Sequence, residues 1–433
     1  MAYGVPLGIY TMISKKKDII IIAHDLITNR TFSARYHFFI KSICNSKSYH
    51  INGIDLGFPY QTNPINSVNK LDGPILFKES IITLNLDYLN PIQKLLIWID
   101  KNKIPYFFKK IVLALHIIIY KSDQWLAKTK EFNKLGLQPQ IIISGGSGGI
   151  IKTCFKMANK YNSKLILDYR DPWNYGYHLL ETNNLVYRFK KYFTIKNENK
   201  YLDKADQIIT VSESLKSFFP LKYQSKITVI ENGSNYEEAE VLNLINRSPT
   251  TFNIVYLGTI YNDQLHDETF FESVKNFIAL NDLKHDSLRL NFLGAYKNPL
   301  LPKLLNKHGL SSCSKITDRL SNEDLLPFLL NASMFLHLKY GQRTQIITSK
   351  NADYLMFRKP ILLPVSDNGD IAESMVKYKS GYVCNGVKET LTALNKEYDK
   401  FLKRENIMFE DRNMTSISRT EISKKLIEVL EKL

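Results

Sequence analysis

"IIISGGSGGIIKTCF", residues 141–155, is an apolar run that climbs into four glycines and two serines and then turns amphipathic. That is how a buried strand ends in a tight loop and opens a helix, and the same turn cradles phosphate in many nucleotide-binding proteins. Two phosphate-loop templates can be tested on it. A Walker A loop needs glycine directly before its Lys-Ser/Thr pair, but Ile151 precedes Lys152 and Thr153. A dinucleotide fingerprint starting at Gly146 and Gly148 needs a third glycine at 151 and again meets isoleucine. Both fail at one residue. The leading reading is a strand-to-helix turn at the top of a parallel sheet; the alternative is a loop whose bare backbone lets a ligand come close.

The same grammar of β-branched run, polar or glycine break and helical stretch repeats along the chain. The first half predicts strands at 18–25, 50–57, 80–87, 140–146, 164–171, 207–213 and 226–233. Their unbroken apolar cores suit strands buried on both faces, hence a parallel sheet with helices on each side. A polar stretch, "SNYEEAEVLNLINRSPTT" (234–251), reads as a connector, after which strands are expected at 252–259, 288–295, 315–318, 333–340, 360–367 and 381–386. The fold class is therefore α/β. Two Rossmann-like, doubly wound parallel-sheet domains are expected over 1–240 and 251–408, with a linker at 241–250. The closing 409–433 reads as an amphipathic helix with Ile422, Leu426, Ile427 and Leu430 on one stripe, packing back towards the first domain. Two such domains facing one another make a cleft at the carboxyl ends of both sheets.

Composition narrows the function classes. The 433 residues suit two domains of about 200 residues each. Cys44, Cys154, Cys313 and Cys384 show no C-x-x-C spacing, which argues against a disulfide framework or a zinc ribbon. Nine histidines include no H-x-x-x-H or H-E-x-x-H pair. No run reaches the ~18 apolar residues of a membrane span. No signal peptide is expected in "MAYGVPLGIYTM", and Met12 is a second candidate start, so the expected location is cytoplasmic. The balance of 58 Lys+Arg against 42 Asp+Glu, +16 in all, favours anionic partners, although compositional drift in a Lys-, Asn-, Ile- and Tyr-rich chain gives the same excess. No nucleic-acid-binding module is recognisable.

The second domain holds "TSKNADYLMFRKPILLPVSDNGD" (348–370), a polar start, a helix of about ten residues, Pro360 and a strand. The helix start at Thr348 and Ser349 offers unpaired N–H groups and the positive end of a dipole, an anion site. Lys350 and Asp353 lie three apart and share a face, while Ala352, Leu355 and Met356 are expected on the packed one. A lysine for phosphate and a carboxylate for ribose hydroxyls suit a nucleoside diphosphate; a surface salt bridge is the plainer alternative.

This segment resembles the donor-binding signature of family 4 glycosyltransferases, T-G-K-x-x-E-Y-L-x-x-x-K-P-I-L, at Thr348, Lys350, Tyr354, Leu355, Lys359, Pro360, Ile361 and Leu362. Other pieces follow in the family's order. "ILDYRDPW" (166–173) is similar to its D-x-R-D-x-W segment, and "ADQIITVSESL" (205–215) and "KITVIENGSN" (226–235) to its A-D-x-I-I-T-V-S and I-P-N-G segments. "IVYLGTIY" (254–261) resembles the strand and glycine turn that open the family's second domain, and 320–338 the region before the signature. The likeness spans about 140–386. It implies the GT-B architecture and a retaining transferase that moves a sugar from a UDP- or GDP-sugar to a glycan or lipid-linked acceptor in surface polysaccharide synthesis.

Carried over residue by residue, the resemblance gives Asp353 the ribose hydroxyls and Lys350 the diphosphate, with Thr348 and Ser349 near it. Gly258 and Thr259 would face the phosphates. Arg170 falls where many relatives place a catalytic histidine, and Asp171 follows it. Gln345 stands where the family's paired acidic motif has its first glutamate, and the Arg and Lys that clamp the leaving diphosphate are missing from "GTIYNDQLHDE", leaving Arg343 or Lys339 as substitutes. The first loop lacks the family's glycines but keeps Arg35. On the acceptor side are expected His24, Arg35, Gly145, Gly146 and Ser147. No D-x-D occurs, and neither a metal nor a cofactor is expected.

Trp173 reads as a packing anchor or a sugar platform, and Ser321 with Asp324 as a helix cap. Residues 88–125 mix lysines with Trp, Tyr, Phe and long aliphatics. They read either as helices lying on an anionic membrane or as helices packed on the first sheet. Two rivals to the transferase stand: a nucleotide-sugar epimerase on the same fold, and a binding subunit impaired by Gln345 and the missing clamp.

Overall fold

The computed structural model describes residues 16–23, 26, 31–46, 48–55, 81–83, 95–96, 98–99, 101–105, 107–109, 111–112, 136–146, 149–171, 173–175, 185–244, 249–284, 286–405 and 414–433. Within them, all thirteen expected strands form. β1 (Lys17–Ala23), β2 (Tyr49–Asp55), β3 (Ile81–Thr83), β4 (Ile141–Gly145), β5 (Lys164–Tyr169), β6 (Gln207–Thr210) and β7 (Ile227–Val229) make a seven-stranded sheet in the order β3-β2-β1-β4-β5-β6-β7. β8 (Phe252–Leu257), β9 (Leu288–Leu293), β10 (Ser314–Thr317), β11 (Met334–Leu336), β12 (Ile361–Leu363) and β13 (Gly381–Val383) make a six-stranded sheet in the order β10-β9-β8-β11-β12-β13. Every pairing is parallel. Each sheet grows from its first strand to one edge, then returns beside that strand, β4 next to β1 and β11 next to β8. The order reverses there, and a crevice opens beyond the carboxyl ends.

The apolar runs are continuous because both faces of each sheet are covered. In β1, Ile20 and Ile22 enter one core with Ile142, Leu165 and Leu167, while Ile19 and Ile21 enter the other with Ile141, Ile143 and Ile166. The two-residue period of a strand sends alternate isoleucines to opposite helical layers. The second domain repeats this, with Ile254 and Tyr256 in one core and Val255 and Leu257 in the other.

The opening stretch has a packing explanation. A Cβ on Gly145 would stand 2.5 Å from the Ala23 Cβ and 3.1 Å from Tyr36 Cζ, so β4 needs glycine where it meets β1. Gly146 follows with φ +123°, a conformation open to glycine at little cost. Ile151, which breaks both phosphate-loop templates, is fully buried on the helix Gly149–Tyr161. Ser147 and His24 lie outside the described residues.

Two chain crossings join the domains side by side. After β7 the backbone runs through Ser234, whose N–H donates to Ile417 O at 2.8 Å, while Arg419 N donates back to Ser234 O at 3.1 Å. The helix Arg419–Glu431 then lays Ile422, Leu426, Val429 and Leu430 into the first domain's core beside Phe39 and Ile43. Val429 takes the place expected of Ile427, which is only partly buried; one step past Leu426 turns a residue about 100° off the stripe. Of the 88–125 segment, the described part buries Leu96 and Ile99 and exposes Leu95, Trp98, Phe107, Phe108 and Ile111. Among the described residues no helix is long and apolar enough to cross a membrane.

Candidate functional site

A cleft of about 1080 Å³ lies between the two sheets' carboxyl ends, walled by both domains. Its second-domain floor starts where β8 and β9 stop. Gly258 and Gly294 turn the chain with φ of +89° and +91°. They lie back to back: a Cβ on Gly294 would be 3.3 Å from the Gly258 Cα, and Gly258 N donates to Leu293 O at 2.7 Å. The result is a strip of bare backbone, continued by Thr259 along the cleft. A side chain on Gly258 would enter the open cleft, and one on Gly294 would press on the Gly258 backbone.

The helix Ser349–Met356 opens on the same space, with Thr348, Ser349 and Lys350 in the cleft wall. Thr348 stands at the N-cap position in an extended conformation but makes no side-chain capping bond. The positive end of the helix is therefore turned to the cleft without a side-chain acceptor of its own. Lys350, 9% exposed, adds a cation. Its Nζ donates to the Tyr256 hydroxyl at 2.8 Å and lies 4.1 Å and 5.5 Å from the ring centres of Tyr256 and Tyr340. Among the described residues no carboxylate pairs with it, and burial pushes the ammonium down to about 7. Behind it, burial first and the Lys350 charge second hold His337 down to about 3, so its imidazole is neutral and donates from Nε2 to Asn351 Oδ1 at 3.2 Å. The site is built to receive negative charge.

Asp353 also lines the cleft, but its Oδ1 accepts from Ser234 Oγ and from Asn235 N–H, both at 2.9 Å. The carboxylate thus ties this helix to the first crossing, with one oxygen in that tie. Burial raises its pKa against the pull of Arg419, and Arg419 itself bonds Asn232 O at 3.0 Å and Asn235 Oδ1. The two-faced helix expected here is not found. Lys350, Asn351, Asp353, Tyr354, Leu355 and Met356 are all buried, and Ala352, placed on the packed face, is less so. The helix is wedged between a sheet and the crossing, which covers its polar side as well.

The first domain contributes Arg170 and Asp171, just past β5, with Arg170 Nε 3.5 Å from Asp171 Oδ2. Asp171 is 57% exposed at its side chain and Arg170 20%. Three residues assigned to this wall stand elsewhere. Arg35 is buried behind it, bonded by Nε to Asp168 Oδ2 at 2.9 Å and by Nη1 to Glu231 O at 2.7 Å; a desolvated guanidinium needs those acceptors, and they draw it into the sheet end. Gly145 and Gly146 serve the strand turn already described and do not line the cleft.

Gln345 and Arg343 lie in the cleft wall. Arg343 is ion-paired with Asp263, and Lys339 stands 3.4 Å from Asp267, so each substitute for the phosphate clamp already has an acidic partner on the segment after the glycine turn. Among residues not anticipated, Gly294 was legible, since "YLG" at 256–258 and "FLG" at 292–294 end adjacent strands alike. Arg419 was not: it meets Asn235 across 184 residues of chain. Trp173 stacks on Tyr201 with centres 6.4 Å apart, and Ser321 caps its helix by accepting from Asp324 N at 3.0 Å.

No family model matches the sequence, and no curated protein matches it. Solved structures do. Sucrose-phosphate synthase from Thermosynechococcus elongatus superposes with a TM-score of 0.62 at 10% identity over 96% of this chain and 99% of that one. The Neisseria meningitidis UDP-GlcNAc 2-epimerase bound to UDP-GlcNAc gives 0.52 at 11% over 96% and 100%. The lipopolysaccharide outer core galactosyltransferase WaaB gives 0.51 at 12% over 96% and 100%. The fold is GT-B. In this GT-B chain the bare glycines, the helix start and Lys350 come from the second domain, and Arg170 with Asp171 from the first. Among the described residues no three His, Cys, Asp or Glu side chains gather as a metal group.

Proposed function

We propose that the chain is a nucleotide-sugar enzyme, a transferase that moves a sugar from a UDP- or GDP-sugar to a glycan or lipid-linked acceptor with retention. The observation that carries this reading is Lys350, a buried cation with no carboxylate partner among the described residues, at a helix start beside two bare glycine turns. A diphosphate would supply the missing charge, accepting from Lys350 and from the first-turn N–H groups. Charge that grows on the leaving phosphate is stabilised there more than charge in the ground state, and one such donor is worth ~2.7–4 kcal/mol. Arg170 and Asp171, from the opposite wall, would meet the sugar and the attacking hydroxyl. Gln345 would offer an amide to a sugar hydroxyl without adding negative charge.

The acceptor reading extends to the membrane. Exposed Trp98, Phe107 and Phe108 stand near exposed Lys101 and Lys103, a mixture of large apolar and basic groups suited to an anionic bilayer at the cytoplasmic face. Such docking fits a lipid-linked acceptor in surface polysaccharide synthesis.

Thermal unfolding with UDP, GDP and ADP in turn, on wild type and Asp353→Ala, tests the donor site. A nucleotide at 100 times its Kd stabilises the folded state by ~2.7 kcal/mol, several degrees in the midpoint. One nucleotide should raise the midpoint and lose that effect in the variant. No shift at millimolar concentration defeats the reading. Product analysis with the matching nucleotide-sugar separates the rivals: transfer requires an acceptor, an epimerase isomerises the sugar without one, and an impaired subunit binds without turnover until Gln345→Glu restores it.

A further inference from the structure

The segment after β5 is held chiefly by one helix, with the Tyr175 ring also packed against Phe219, 5.8 Å between centres. Within residues 173–175 every side chain ends on the helix Leu185–Lys204: Trp173 stacks on Tyr201 with an interplanar angle of 6°, Asn174 Oδ1 accepts from Thr194 Oγ1 at 2.8 Å, and Tyr175 OH donates to Asn199 Oδ1 at 2.6 Å. The backbone is held too, since Asn174 N–H donates to Glu198 Oε2 at 3.1 Å. Glu198 is 0% exposed, and with Tyr201 and Leu202 it forms the helix's buried stripe. An apolar residue at that place would pack without the cost of burying a carboxyl. The carboxyl has a local purpose instead: the Tyr169 and Asn174 side chains bear on it, and Glu198 Oε1, Tyr169 OH and Asn174 Nδ2 are polar atoms buried together without a hydrogen-bond partner among the described residues.

We propose that Glu198 is a positioning residue, locking residues 173–175 onto the helix Leu185–Lys204 and thereby setting Arg170 and Asp171 at the cleft wall. One residue separates Asp171 from the gripped segment, and the side chain of Tyr169, just before Arg170, bears on the same carboxyl. Both flanks of the cleft-facing pair are thus referred to one group. The role in turnover rests on the reading of Arg170 and Asp171 as sugar- or acceptor-facing groups.

The test compares wild type, Glu198→Gln, Glu198→Ala and Arg170→Ala. Amide exchange over 170–175 is followed by mass spectrometry. UDP binding is followed by thermal shift. Hydrolysis of UDP-glucose, UDP-N-acetylglucosamine or GDP-mannose is followed for whichever the wild type turns over. Glu198→Ala should speed exchange in 170–175 at least tenfold, leave the UDP shift unchanged, and lower kcat as far as Arg170→Ala does with KM within twofold. Glu198→Gln, which keeps an oxygen for Asn174 N–H, should stay within twofold of wild type throughout. Unchanged exchange in Glu198→Ala overturns the proposal, and so does a loss of UDP binding in step with kcat, since that marks a general folding defect. If the wild type binds no UDP, GDP or ADP, the donor reading fails while the exchange arm still decides the role of Glu198.

Discussion

Lys350 Nζ lies 2.8 Å from the Tyr256 hydroxyl and 4.1 Å from the centre of that same ring. The lysine is thus solvated by one neutral side chain, end and face together, at the point where a helix already presents positive potential. An ammonium so placed is charged at a cost until an anion arrives, and that cost gives the site a pH dependence.

Binding of UDP is expected to take up a proton. Burial pushes Lys350 down to about 7 in the unliganded protein, and a diphosphate beside it restores the charged form. Calorimetry at pH 7.5 in phosphate and in Tris should differ by the buffer ionisation heat times a fractional proton uptake. Lys350→Arg, charged throughout, should keep binding and lose the buffer difference. Equal heats for the wild type would contradict this.

Glu198 predicts a pH trend in stability itself. Burial raises its pKa from 4.5 to about 7, so the folded state prefers the neutral acid. Its stabilisation is complete below about 4.5 and is lost as pH rises through about 7, because the unfolded chain releases the proton first. The full difference is about 3 kcal/mol at 1.36 kcal/mol per unit. Glu198→Gln, neutral at every pH, should match wild type in urea midpoint near pH 4.5 and exceed it at pH 8. A constant difference across that range would sink the assignment.

The glycines separate packing from function. Gly145→Ala meets Ala23 Cβ at 2.5 Å, an overpacking expected to cost about 1–3 kcal/mol. Gly258→Ala meets nothing within 4 Å, and its φ of +89° costs about 1–2 kcal/mol. Only the second should also weaken nucleotide binding, by at least tenfold, since only Gly258 lines the cleft. Urea titrations with and without UDP check both.

For Asp353, nucleosides and bare phosphates should part company. On the proposed donor reading, Asp353→Ala would remove a carboxylate oxygen from ribose hydroxyls but leave Lys350 in place. UDP affinity should fall about 10- to 100-fold, the ~1.5–3 kcal/mol of a hydrogen bond to a charged group, while pyrophosphate affinity changes less than threefold. Equal losses for both would show that Asp353 acts only through its tie to Ser234 and Asn235.

What was legible and what was not follows a physical line. Strands were legible because burial on both faces of a parallel sheet demands unbroken apolar runs, and their order along the chain survives in the sequence. The second domain's cleft wall was legible for a related reason: Gly258, Thr348 and Lys350 stand at a strand end and a helix start, which short segments encode. Arg35 misled because the segment after the first strand was read as a loop, whereas it forms the helix Thr31–Asn45, from which Arg35 meets the buried Asp168. The acid at 198 lay hidden in a helix whose sequence is charged on every side, "YRFKKYFTIKNENKYLDK".

By itself, the sequence determined two parallel-sheet domains and the segments whose backbone opens on the cleft, since both depend on side-chain period and on glycine and cap positions a few residues apart. Only the tertiary structure decided which polar groups face the cleft and which are consumed inside it. Asp353 is drawn to Ser234 and Glu198 to Asn174 by the need of buried charges and donors for partners, and the part-exposed Arg343 pairs with Asp263. Those partners lie 24 to 119 residues away in the chain, so no local pattern records them.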